Sequence, residues 1–227
     1  MNLKLHTFTR TDALDQALSA CVAAKLRDGI AAHGKAALVV SGGRTPAGFF
    51  RALGHADLDW ARVTITLADE RCVSEDSPHS NARSVRTHLL QGRAAAANFL
   101  PLYLPAEHID AANARLAILP ERFDVVVLGM GDDGHTASIF PDSPQREAAL
   151  CDASNHPLLF AEGKAPVTAR LTLTAPRLLA TRSLILHVTG EHKWQVLGQA
   201  LTAPTPALPI SHFLHAEGLE KHVFWTR

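Results

Sequence analysis

Cysteine is scarce: Cys21, Cys72 and Cys151 are the three in 227 residues. An odd number without C-x-x-C spacing argues against a disulfide framework or a zinc ribbon and suits a reduced compartment. They read as small buried hydrophobes. An excess of charge is equally missing, since 22 Lys and Arg balance 22 Asp and Glu for a formal net charge of +0. No global field then draws the chain to nucleic acid or to an anionic membrane, so any anion has to be bound locally. No apolar run approaches the ~20 residues of a membrane span, and the opening MNLKLHTFTRTD lacks the apolar stretch of a secretory signal. A soluble, cytoplasmic protein with neither a nucleic-acid nor a membrane partner is expected. Low-complexity tracts and fixed-period repeats are lacking too, as are G-x-x-x-x-G-K-[ST] and G-x-G-x-x-G, so a nucleotide is not implied.

What is present is ordinary globular composition, 47% hydrophobic and 19% charged, in a length that fits one domain over residues 1–227. Strand-like and helix-like segments alternate, which predicts an α/β fold with a mainly parallel sheet covered by helices on both faces. Strands are expected at 3–8, 36–40, 63–67, 123–128, 158–161, 168–173, 183–188 and 221–225. Thr11 or Asp12 is the expected cap of a first helix with the apolar stripe Leu14, Leu18, Cys21, Val22 and Leu26, ending near 29–34. Further helices are expected around Phe49, Phe50 and Leu53, through Val85, Leu89 and Leu90, over 111–119 and over 191–201, where the APTPALP stretch breaks the last. A polar loop, ADERCVSEDSPHSNA, follows the strand at 63–67.

Three segments stand at strand ends, where α/β sheets gather ligands. In the first, Val125-Val126-Val127-Leu128 empties into Gly129-Met130-Gly131-Asp132-Asp133-Gly134-His135-Thr136. Histidine's ordinary pKa, near ~6.5, leaves much of the imidazole neutral at cytosolic pH, as a general base acting on water requires. Asp133 is placed to hold that imidazole or to line a sugar site. The plainer reading of a lone histidine, a satisfied structural side chain, suits His187 in SLILHV better. The second segment, Ser41-Gly42-Gly43-Arg44-Thr45-Pro46, lies between strand and helix, with Pro46 at the first helical position. Backbone N–H groups there, with the Ser41 and Thr45 hydroxyls, make a phosphate cradle, although a tight turn with no ligand would look similar. In the third, Asp69-Glu70-Arg71, Arg71 can fork onto a phosphate or carboxylate and Asp69 can orient a hydroxyl, or the triplet is a solvated loop. Ser80-Asn81 most simply caps a helix. Arg170 and Lys193 are cations near element ends, each by itself an ordinary surface charge; Arg44 and His192 are weaker candidates.

Taken in order, SGGRTP, DERCVSEDSPHSN, GMGDDGHTASIFP, RLTLT and GEHKW resemble the motif set of the 6-phosphogluconolactonase family over almost the whole chain. The resemblance implies a Rossmann-like three-layer α/β/α sandwich that hydrolyses 6-phospho-D-glucono-1,5-lactone without cofactor or metal, in the oxidative pentose phosphate pathway. It implies His135 as general base with Asp133 beside it, and Ser41, Gly42, Gly43 and Thr45 as the phosphate-facing loop. Arg71, Arg170 and Lys193 are then cations on the phosphate or nearby oxygens, and Asp69 is the acid at the pocket wall. The partner implied is a phosphorylated sugar lactone. Oligomeric state stays open and is compatible with a monomer.

Two other activities fit parts of the pattern. Amino-sugar-phosphate isomerase/deaminases of the same superfamily carry Asn-Glu-Pro after the GH motif, whereas this chain has Ile139-Phe140-Pro141, and Phe140 cannot transfer a proton. A non-catalytic sugar-phosphate-binding regulator would need a DNA- or partner-binding segment, for which the chain has no basic stripe and no spare length.

Overall fold

A computed structural model describes residues 3–151 and 157–227. Ten strands and eight α-helices follow one another among the described residues. The strands are β1 (Leu3–Phe8), β2 (Ala36–Val40), β3 (Val63–Leu67), β4 (Asp69–Arg71), β5 (Asn98–Leu100), β6 (Phe123–Leu128), β7 (Leu158–Glu162), β8 (Ala169–Leu173), β9 (Thr181–Thr189) and β10 (Glu220–Thr226). The helices are α1 (Thr11–His33), α2 (Ala47–Gly54), α3 (Asn81–His88), α4 (Ile109–Leu116), α5 (Arg146–Leu150), α6 (Ala175–Leu179), α7 (Glu191–Ala200) and α8 (Ile210–His215). No helix among the described residues is long and apolar enough to cross a membrane.

Seven strands form one sheet in the order β1-β10-β9-β6-β2-β3-β5, every neighbouring pair parallel. The sheet is flanked by helices, so the fold is the α/β class expected. β2 (AALVV) and β6 (FDVVVL) are buried along their whole length, which is why, Asp124 apart, they read as continuous apolar runs rather than alternating ones. Helix α1 lays Leu14, Leu18, Val22 and Leu26 on the core. A second, three-stranded sheet, β4-β8-β7, is antiparallel.

Two expectations about these elements need correction. Neither Thr11 nor Asp12 caps α1: the N-cap is Arg10, without a side-chain cap bond, and its guanidinium instead forks onto the Asp12 carboxylate. The helix itself ends where expected, running through Gly29 to a left-handed Gly34. Gly29 is needed inside it because a Cβ there would fall 2.5 Å from Asp124 Oδ1. Asp69, Glu70 and Arg71 belong to a strand rather than a loop, since β8 pairs with them across the second sheet. The cap expected at Ser80 is present: its Oγ accepts the Arg83 N–H at 3.1 Å.

Candidate active site

The chain leaves β2 toward β3 on one side of the sheet and leaves β6 toward β9 on the other. The loops after these two adjacent strands therefore diverge and open a crevice, as expected at a topological switch point. They are tied at its floor. The Ser41 N–H donates to Val127 O (3.0 Å), the Gly129 N–H donates to Ser41 Oγ (3.3 Å), and Thr136 Oγ1 donates to Gly129 O (2.8 Å). Ser41 keeps its own O–H to donate. Gly42 is required because Asn81 lies against it, 2.1 Å from where a Cβ would stand, and Gly43 because its φ is +101°.

After β6 the turn closes on itself through Gly131 N–H to His135 O (2.9 Å) and Gly134 N–H to Gly131 O (3.1 Å). Gly131 leaves room for the imidazole, since a Cβ there would come 2.0 Å from His135 Nδ1. Asp133 Oδ1 accepts the His135 backbone N–H at 3.1 Å and lies 2.5 Å from His135 Nδ1. An ionised carboxylate only accepts, which assigns the proton to Nδ1 and leaves Nε2 as the basic nitrogen. The carboxylate is secure: burial opposes its charge, but hydrogen bonds from His135 and Lys164 outweigh that and hold Asp133 below the usual carboxylate range. The Phe140 ring, buried, packs on the imidazole with centroids 4.4 Å apart.

The second sheet brings the cations. In the antiparallel register Arg71 stands opposite Arg170, and like charges in that position repel. Burial and the neighbouring Arg71 both push the Arg170 guanidinium down from its ordinary pKa. Arg71 Nη1 donates to His79 O at 2.6 Å while its buried Nε has no partner. Arg170 Nε donates to Val167 O (2.9 Å) and its Nη2 to Lys164 O (3.3 Å). Two guanidiniums so paired are suited to fork onto one anion. Asp69 is buried and accepts from Ser138 Oγ at 2.6 Å and Asn81 Nδ2 at 3.4 Å. Glu70 turns away from the crevice and accepts the N–H groups of Arg71, Asn81 and Ala82 at 2.7–2.8 Å. Lys193, in the first turn of α7, approaches from the far wall. Burial, with the Lys193 charge adding to it, keeps the neighbouring His187 neutral, its pKa lowered to about 4.

Nine of the ten residues singled out from sequence line this one crevice: Ser41, Gly42, Gly43, Thr45, Asp69, Arg71, His135, Arg170 and Lys193. Asp133 stands behind His135 and holds it rather than lining the space. Arg44 also borders it, and so does His187, read from sequence as core and indeed buried. Three buried atoms at the wall have no partner: Arg71 Nε, Asn81 Oδ1 and His187 Nε2. They offer a polar ligand a donor at Arg71, an acceptor at Asn81 and, at His187, an imidazole nitrogen that can serve as either. Asn81, Ser138 and Lys164 were not read from sequence as site residues; Asn81 carried only a capping signal. Among the described residues no group of three or more His, Cys, Asp or Glu is placed to hold a metal ion.

Comparison with known proteins adds an independent line. A 6-phosphogluconolactonase of Rhizobium meliloti is 42% identical over 231 residues, covering all of both chains, and one of Pseudomonas aeruginosa is 44% identical over 204 residues, covering 88% of this chain and 86% of that one. The crystal structure of a 6-phosphogluconolactonase from Shewanella baltica superposes with a TM-score of 0.94 at 40% identity, covering 99% of this chain and 98% of that one. Residues 9–225 match the family described as glucosamine-6-phosphate isomerases/6-phosphogluconolactonase, and it is to this family that the chain belongs.

Proposed function

We propose that the chain hydrolyses 6-phospho-D-glucono-1,5-lactone to 6-phospho-D-gluconate by His135-assisted attack of water on the lactone carbonyl. Relatives at 34–44% identity that cover 86–100% of this chain indicate an enzyme of the 6-phosphogluconolactonase type; the mechanism is our addition. The observation that carries it is the Asp133-bound imidazole opening onto the same crevice as three cations, Arg71, Arg170 and Lys193. His135 Nε2 takes a proton from water as the water oxygen bonds to C1. The C1–O5 bond then breaks, and the ring oxygen leaves as a hydroxyl carrying the proton back from Nε2. Because a lactone is an activated ester, one base worth roughly 10²–10⁴-fold suffices without a covalent nucleophile. The cations and the 41–45 loop fix the phosphate, which lies far from C1, so that binding energy orients the ring for attack.

Isomerisation needs an acid where Phe140 stands, and Phe140 has no proton to give. The cytoplasm, where the oxidative pentose phosphate pathway runs, is the compartment this reading assigns. The test is hydrolysis of freshly made lactone, corrected for the spontaneous rate, with glucosamine-6-phosphate in parallel. His135→Ala should lower kcat by about 10²-fold or more with melting temperature and 6-phosphogluconate binding unchanged. Hydrolysis by the variant at the wild-type rate would refute the general-base assignment.

A further inference from the structure

We propose that Lys164, at the tip of the β7–β8 hairpin, is a positioning residue that orients the general base by fixing the second oxygen of Asp133. The inference rests on the His135 mechanism above. Asp133 serves that mechanism only while Oδ1 faces His135 Nδ1, and a carboxylate on a half-buried turn is free to rotate unless its other oxygen is held. Lys164 Nζ holds it, 2.5 Å from Oδ2.

The hairpin delivers Lys164 to this place through contacts that close a ring around the base. Arg170 donates to the carbonyls of Lys164 and Val167, which bends the hairpin tip over the site. Gly163 lies against Arg170 and Phe140, where a Cβ would come within 2.8 Å of Arg170 Nε and 3.2 Å of Phe140 Cε2. Both Lys164 (6.0 Å) and Arg170 (5.9 Å) lie over the Phe140 ring, and that ring packs on His135. The path Arg170, hairpin tip, Lys164, Asp133, His135 thus joins the anion clamp to the base. Asp142 is the other acid whose charge acts on Lys164.

Two consequences separate orientation from mere support. The Lys164 side chain is 57% exposed, and exposed ion pairs stabilise little, so its loss should leave folding nearly untouched. Its charge also draws on Asp133; without it the carboxylate acts on the imidazole alone and favours the imidazolium.

Lys164→Met is therefore expected to lower kcat about tenfold with KM changed less than about threefold. The acid limb of the kcat profile should move to higher pH, and the melting temperature should hold. Lys164→Arg should recover most of kcat and return the limb. An NMR titration of the His135 imidazole in wild type and Lys164→Met reads the same upward move without substrate. An inactive wild type would thus overturn the proposed function alone, whereas an unmoved imidazole midpoint in Lys164→Met would overturn the role of Lys164. Wild-type kcat in Lys164→Met would overturn it as well.

Discussion

Arg170 and Lys193 share the phosphate clamp proposed above, but Arg170 has further contacts of its own. Lys193 is a point charge on a flexible stem, with no role in holding another segment. Arg170 lines the same crevice but also anchors the hairpin tip through the Val167 and Lys164 carbonyls. Losing a hydrogen bond to a charged group costs about 1.5–3 kcal/mol, or about 10–100-fold. Lys193→Ala should accordingly raise KM for the phosphorylated lactone by that factor and leave kcat within about twofold. Arg170→Ala should raise KM and lower kcat together, because Lys164 loses its support. Steady-state kinetics of both variants on phosphorylated and unphosphorylated gluconolactone checks this; a wild-type enzyme indifferent to the phosphate would sink the clamp. The residues that sequence placed near chemistry were those where charge meets glycine at the end of a buried strand, a local pattern. Lys164 has no such pattern, since its partner Asp133 is 31 positions away and only the antiparallel pairing of β7 with β8 brings its hairpin over β6. Ser138 was hidden for the same reason, since it meets Asp69 across 69 positions; Asn81 is 12 positions from Asp69, and its place at the start of α3 gave it a capping reading instead.

At the scale of elements, the turn after β6 leans on the segment between α7 and α8. Gly134 sits at φ +75°, and a Cβ there would reach within 2.6 Å of Leu208 Cδ2 and 3.2 Å of Leu208 Cα. Its carbonyl accepts the Ile210 N–H at 3.0 Å, so the loop that ends with APTPALP rests directly on the turn that carries His135. Gly134→Ala combines backbone strain with a tight approach to Leu208, whose Cδ2 can swing aside while its Cα at 3.2 Å has to give by a few tenths of an ångström, about 2–5 kcal/mol together. Gly43→Ala, also at positive φ but with open space around it, meets strain alone, about 1–3 kcal/mol. Urea unfolding of the two variants compares them, and equal losses would mean that the loop does not rest on the turn. The elements legible in sequence were those whose burial is continuous or periodic, above all β2, β6, β9 and α1. β4 was not, because three charged residues carry no strand pattern and only pairing with β8 makes them one. Helices α5, α6 and α8 are five or six residues long, too short for a 3.6-residue period to show, and β5 has three residues.

For the whole molecule, proton binding sets how stability varies with pH, and two buried groups pull in opposite directions. Burial lowers His187 from 6.5 to about 4. Between those values the unfolded chain binds a proton that the native one refuses, so stability falls as the pH drops, by about 3 kcal/mol across the window. Burial shifts His6, His212 and His222 in the same direction. Asp15 does the reverse: burial, partly offset by Arg51 and the Phe49 backbone N–H, raises its carboxyl from 3.8 to about 6. There the native chain keeps a proton that the unfolded one releases, so stability falls as the pH rises from 3.8 to 6, and Glu70 shares that sign. Glu220, held at about 2 chiefly by Lys25 and Lys4, adds its loss only below pH 4.5. Asp15 thus flattens between pH 3.8 and 6 the slope that the buried histidines impose. Asp15→Asn removes the opposing charge from beside α2 and keeps an oxygen for the Phe49 N–H. It should gain about 1–3 kcal/mol at pH 7.5 and almost none at pH 4, steepening the profile. Urea midpoints at pH 4, 5.5 and 7.5 measure this, and equal gains at the two extremes would show that ionisation of Asp15 is not what the fold resists.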